Sequence, residues 1–310
     1  MRSSIKGIGS RMIRHDVVWK WVKATLVKGV HYLERERRKW EETRRSLPEH
    51  VIADKAIETF IPDLRIRHGI FQGMRYPQIR SVESALFPKL LGSYERELQP
   101  VLERICGQGY REIVNIGCAE GYYAVGLAMR IPGARVHAFD INPEAIRLCR
   151  EMAALNQVSE RVITGAFCDA AVLQGMRLAG KTLVVCDCEG YEKELFTTAT
   201  VKLLAPHDVL VEVHDGVDIT ISTYIRRLFE PTHRVEVIES LDDIKKARTY
   251  AYPELESYDL PTRKILVGEG ALTSWNGSSS SRGSLQQKQT SRQSRSFAEP
   301  AEPPKMRFSK

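Results

Sequence analysis

Residues 112–121 read Glu112-Ile113-Val114-Asn115-Ile116-Gly117-Cys118-Ala119-Glu120-Gly121, and Phe139-Asp140 follows with its acid nineteen positions after the second glycine. The apolar run Ile113, Val114, Ile116 stops at Gly117. A helix-like run, Tyr122 to Ala128, begins after Gly121, and a second apolar strand, Val136 to Phe139, ends in an acid. Strand, glycine turn, helix, strand, acid is the order in which an α/β sheet holds a nucleoside. The turn lets backbone approach the ligand, and the acid takes the ribose hydroxyls.

The spacing of the glycines selects among nucleosides. A dinucleotide turn, G-x-G-x-x-G, needs its middle glycine so that a pyrophosphate can rest on the backbone at the helix N-terminus. Here Ala119 stands at that place, and Glu120 adds a carboxylate that would repel phosphate. S-adenosylmethionine (SAM) has no phosphate and carries an ammonium and a sulfonium, so an acidic turn suits it. A nicotinamide-dependent oxidoreductase is the weaker reading for the same reason.

Outward from the turn, elements alternate. The pattern predicts strands at 112–116, 135–139, 162–164, 182–187, 209–214, 233–239 and 264–268, with helices at 121–130, 143–156 and 218–229. Asn142-Pro143-Glu144 is a helix start: cap, proline in the first turn, acid at the positive end of the dipole. Thr182–Asp187 and Val209–His214 are continuous apolar runs with polar ends, as buried parallel strands require. The expected fold is α/β: a Rossmann-like, mostly parallel seven-stranded sheet with helices on both faces and a helical N-terminal extension.

The chain has 310 residues and a net charge of +7, unevenly placed. Residues 1–50 carry thirteen Lys/Arg against six Asp/Glu, and 272–310 carry seven against two, which leaves 51–271 at about −5. A mildly acidic body argues against a nucleic-acid groove. Four regions follow: a basic amphipathic helical extension (1–50), a helical and loop segment over the substrate edge (51–110), the nucleoside-binding domain (111–272), and a Ser/Gln/Pro-rich tail (273–310) too poor in apolar groups to order itself. The extension suits packing on the body, or contact with a protein or an anionic membrane surface. The six cysteines form no C-x-x-C pair, so reduced thiols in a cytoplasmic protein are expected. No apolar run approaches the ~20 residues of a membrane span, and no secretory leader is expected.

In open α/β sheets the ligand sits beyond the carboxyl ends of the strands. Those ends bring Gly117, Asp140, Cys168-Asp169, Asp187-Cys188-Glu189 and Glu212-Val213-His214 to one edge. Val114–Ala128, Asp187–Glu192 (Asp-Cys-Glu-Gly-Tyr-Glu) and Val211–His214 resemble the FkbM-type class I SAM-dependent methyltransferases over about residues 92–268. The resemblance implies an O-methyltransferase acting on a hydroxyl of a sugar, glycan or other small molecule. It departs from the family at Asn115, where the turn's leading acid is usual, and at Cys118-Ala119-Glu120.

The expected cofactor contacts are Asn115, Gly117, Cys118, Glu120, Gly121, Asp140, Ile141, Cys168, Asp169 and Asp187. His214 is the first candidate for the general base, since an unperturbed imidazole titrates near neutrality. Glu189 and Asp187 stand beside it, and the expectation there is a base without a metal. Tyr94, Glu95, Tyr250 and Tyr252 are expected to line the acceptor pocket. A SAM-binding scaffold without turnover is the alternative from another class.

Overall fold

The computed structural model describes residues 26, 29–30, 33–37, 47–270, 294–297 and 305–309. It divides into two compact units, residues 1–52 and 53–310. In the first unit the described residues within 26–37 are helical. The rest of the expected basic helix lies outside the described residues. Among the described residues, no helix is long and apolar enough to cross a membrane.

The element order is α1 (Glu49–Phe60), α2 (Leu86–Leu91), α3 (Gln99–Cys106), β1 (Glu112–Ile116), α4 (Tyr122–Arg130), β2 (Arg135–Phe139), α5 (Pro143–Leu155), β3 (Val162–Gly165), α6 (Ala170–Gly175), β4 (Thr182–Cys186), α7 (Glu192–Leu195), α8 (Thr198–Leu204), β5 (Asp208–Val213), α9 (Ile221–Phe229), β6 (Arg234–Glu239), α10 (Asp243–Thr249), α11 (Leu260–Val267), β7 (Ser294–Phe297) and β8 (Lys305–Ser309). Five strands pair in parallel in the order β3-β2-β1-β4-β5. This is the Rossmann-like core.

Register is what builds the site. Ile116 pairs with Phe139 on one side and Cys186 on the other, and Cys186 pairs with Val211. Gly117, Asp140, Asp187 and Glu212 therefore reach one edge at one level. Alternate strand residues supply a single packed face: Val114, Ile116, Val184, Cys186, Val209, Val211 and Val213 close on Phe196, Leu204, Ile225 and Phe229. Strand side chains alternate between faces, so Asn115 and Glu212 belong to the opposite face. The α5 start is as the sequence predicts, with the Asn142 side chain accepting the Glu144 N–H at 3.0 Å.

The last third departs from expectation. Residues 264–268, expected as the seventh strand, close α11. Ile265-Leu266-Val267 satisfies either period, and the cap decides. The Asp259 side chain accepts the Thr262 N–H at 3.1 Å, with Pro261 in the first turn. Residues 241–263, between the two last expected strands, fold as α10, capped by Asp242, a 3₁₀ turn at Pro253–Leu255, and the start of α11. Strand β6 has no pairing with β5; β7 and β8 stand against both, giving eight strands in the order β3-β2-β1-β4-β5-β7-β6-β8. Both added strands lie within the tail expected to be disordered, whose remainder from 271 onward is outside the described residues.

Candidate active site

The glycine turn is shaped by contact. Gly117 has φ +73°, and a Cβ there would lie 1.6 Å from the Asp187 carbonyl oxygen. Only glycine lets the turns after β1 and β4 touch. The Gly117 and Cys118 N–H groups both donate to the Phe139 carbonyl at 2.9 Å. Asp140 braces the same turn: one carboxylate oxygen accepts the Ala119 N–H at 2.8 Å, the other accepts the Asn142 N–H at 2.8 Å. Each oxygen keeps a lone pair for a ribose hydroxyl.

Two cavities open at this edge. The first is an apolar slot between Ile116, Phe139 and Ile141 on one side and Phe167, Cys168 and Tyr191 on the other, with Asp140 in its wall. Its lining, apolar walls with one acid, suits an adenosine. The second runs past Cys118 and Ala119 between the rings of Tyr94, Tyr122 and Tyr123 and a group of acids: Glu83, Glu95, Glu212 and Glu269. Gly117, Glu83, Asp187 and Glu189 line both. The cavities thus adjoin at the end of β4.

His214 follows β5, is 3% exposed, and is held by carboxylates. Its Nδ1 lies 2.6 Å from Oε1 of the fully buried Glu192. Its Nε2 faces Asp187 Oδ1 and Glu189 Oε2, each at 3.4 Å. Burial works to lower its pKa, but the Glu192 hydrogen bond and the charges of Asp187, Glu192 and Glu189 push it up to about 9. An imidazolium has no lone pair to receive a proton. This surround does not favour His214 as the group that takes the proton. Burial pushes Asp187 up to about 6 and raises Glu212 well above the usual carboxylate range, with Asp187 the next cause there. Burial likewise raises Glu95, with Glu269 and Asp187 adding to it.

The opposite edge of the sheet shows what such acids ordinarily need. Glu112 meets the His137 ring at 2.9 Å, and Asp208 accepts from Tyr110 Oη at 2.5 Å beside Lys181 at 3.5 Å. At the site edge, Asp187 and Glu189 make ion pairs with His214.

Several expected contacts lie elsewhere. Glu120 points away from both cavities into a buried cluster, where it accepts from Lys89 Nζ at 2.5 Å, Ser81 Oγ at 2.9 Å, the Val82 N–H at 3.0 Å and Tyr76 Oη at 3.1 Å. Asn115 is buried within β1, its Nδ2 3.5 Å from the Val185 carbonyl. Gly121 caps α4 against Cys149. Asp169 caps α6 through the Val172 N–H at 2.8 Å. Tyr250 and Tyr252 are buried around the Arg96 guanidinium at 4.9 and 5.3 Å, and neither lines either of these two cavities. Gly117, Cys118, Asp140, Ile141, Cys168, Asp187, Glu189, Tyr94 and Glu95 are in the walls. Sequence reasoning missed Glu83, Glu269, Tyr122, Tyr123 and Phe167, and gave Glu192 no role at His214. Glu192 was within reach, since it closes the Asp187–Glu192 motif. Glu83 and Glu269 have no motif around them and arrive only through the fold.

Residues 99–176 match the family described as methyltransferase small domain. A release factor glutamine methyltransferase of Chlorobaculum tepidum is 33% identical over 88 residues, 24% of this chain and 30% of that protein. One from Dictyoglomus turgidum is 35% identical over 60 residues, 19% of this chain and 21% of that protein. The chain thus spans less than a third of the curated relatives it matches. Among solved structures, the O-methyltransferase TomG of Streptomyces achromogenes in complex with SAM is similar over 49% of this chain and 75% of that one, with 19% identity and a TM-score of 0.39. The relatives' name places their methyl group on a protein's glutamine, which overturns the expected sugar, glycan or small-molecule hydroxyl as partner. Nothing among them supports a membrane contact through the N-terminal helix. The glycine turn, the strand order and the family match agree: residues 99–176 lie in a methyltransferase domain, and its cofactor is S-adenosylmethionine.

Proposed function

We propose that this chain transfers a methyl group from SAM to a nitrogen nucleophile carried by another protein. The observation that carries this reading is the junction of the two cavities at Gly117, Asp187 and Glu189. A nucleoside seated in the apolar slot leaves the acidic, tyrosine-lined cavity for the acceptor. The residues fit the cofactor on two counts: the apolar slot with Asp140 in its wall, and the acidic lining opposite a cationic ligand. Bound there, SAM supplies an electrophilic methyl group.

The chain's own part is placement. Asp140 takes ribose hydroxyls while bracing the turn. Asp187 and Glu189 offer carboxylate oxygens at the junction, where an acceptor N–H can donate and later leave its proton. Amide and amine groups are hydrogen-bond donors, and carboxylate walls accept from them. His214, fixed by Glu192, is a positioning residue for Asp187. Tyr94, Tyr122 and Tyr123 exclude water beside the reacting atoms, and holding the groups in line supplies much of the rate. The names of the relatives support a protein acceptor. The FkbM-like Asp187–Glu192 and Glu212–His214 motifs support the position of the site at the ends of β4 and β5.

The test uses the full chain and SAM labelled with tritium in its methyl group. A cell extract is split by desalting into macromolecules and small molecules, and each is incubated with enzyme. Label is expected in acid-precipitable, protease-sensitive material. Label found only among small molecules would refute the protein acceptor. Thermal stabilisation by SAM with no transfer to either fraction would favour the scaffold reading.

A further inference from the structure

We propose that Asp187, Glu212 and His214 form a binding site for one divalent cation of the manganese or zinc class at the head of the acceptor cavity. One ligand atom from each lies within 4.8 Å of the others, and Glu212 and His214 are buried. The state of the ligand atoms points to a ligand there. His214 Nε2 is buried and makes no hydrogen bond, its nearest polar neighbours being Asp187 Oδ1 and Glu189 Oε2 at the loose ion-pair distance of 3.4 Å; Asp187 Oδ1, also buried, makes no hydrogen bond either. The other ring nitrogen, Nδ1, is held at 2.6 Å by the fully buried Glu192. That arrangement, a carboxylate fixing the far side of an imidazole, is how a ligating histidine is oriented.

The donor set is one imidazole nitrogen and two carboxylate oxygens. Oxygen alone would suit magnesium or calcium, and thiolates would suit softer ions; this mixture suits manganese or zinc. Metal–donor distances of about 2.1 Å place neighbouring donors about 3 Å apart. Closing the present spacing calls for side-chain movement, and Asp187 is the partly exposed member, with 28% of its side chain accessible. The cation would replace the proton on Nε2. It would give in one step a ligand bond to the nitrogen and to the oxygen that make no hydrogen bond. Glu189, more exposed and on the rim, is not one of the three.

This proposal deepens the methyl-transfer reading by adding a ligand at the same site, and its test needs no turnover, so the two fail separately. Full-length protein is stripped with chelator and titrated with Mn²⁺ alone, then Zn²⁺ alone, by calorimetry, with electron paramagnetic resonance of bound Mn²⁺. One ion per chain is expected. Glu212→Gln and His214→Ala should each weaken it at least tenfold, and Glu192→Gln by about tenfold through the orientation of the ring. Circular dichroism and SAM-induced thermal stabilisation of each variant separate ligand loss from misfolding. Binding below half an equivalent of both ions would overturn the site. So would unchanged affinity in a folded His214→Ala or Asp187→Asn variant.

Discussion

Gly117 shows how tightly a single position can be determined. The 1.6 Å approach of a built Cβ to the Asp187 carbonyl leaves no rotamer to adjust, and φ is positive besides. Gly117→Ala is expected to lose more than about 4 kcal/mol and with it thermal stabilisation by SAM. A folded variant that still responds to SAM would contradict the contact between the two turns. Lys89 and Glu120 give a second case. Both are buried, and Lys89→Met leaves an unmatched carboxylate in the interior, at a cost of about 3–5 kcal/mol in urea unfolding. Glu120→Gln should therefore lower stability, and SAM affinity only in proportion to unfolding. At this scale the sequence showed what is local. Gly117, Asp140 and Asp187 sit at the ends of apolar runs, and their placement follows from the period of the strand. Glu120 has the same local setting, but its partner Lys89 is thirty-one residues upstream, and no pattern in one chain reveals that pairing.

Elements were legible where period and caps agreed. The parallel strands appear as uninterrupted apolar runs because both their faces are covered, and the start of α5 carries three concordant residues. Asn142→Ala should cost about 1 kcal/mol, read as a shift in the urea midpoint with unchanged slope. Asp259→Ala should cost a similar amount, since its carboxylate caps α11 through the Thr262 N–H. A null effect there would favour a strand at 264–268 after all. That segment was misread because Ile265-Leu266-Val267 fits a strand on composition, while the Asp-Leu-Pro-Thr start argues helix. Tyr250 and Tyr252, expected at the acceptor, lie in the connection between β6 and α11. That connection folds, and their rings are spent on Arg96.

For the molecule as a whole, the acid side of the stability profile is set by histidines kept neutral in the core. Burial pushes His233 down to about 4, and burial lowers His207 as well. Below the ordinary histidine value of about 6.5 the unfolded chain takes up a proton that the folded one refuses. Stability present above that value is thus lost as pH falls from about 6.5 to about 4. For His233 the loss amounts to about 3 kcal/mol at most. Melting temperature measured over this window should fall less steeply in His233→Gln than in the parent; parallel curves would refute the assignment. The buried pair of Lys89 and Glu120 bears on time as well as on stability. Glu120 also receives the Val82 N–H at 3.0 Å, so that hydrogen can trade with solvent only when the wall beside the glycine turn comes apart. The exchange rate of this one amide is a clock for how often that wall opens.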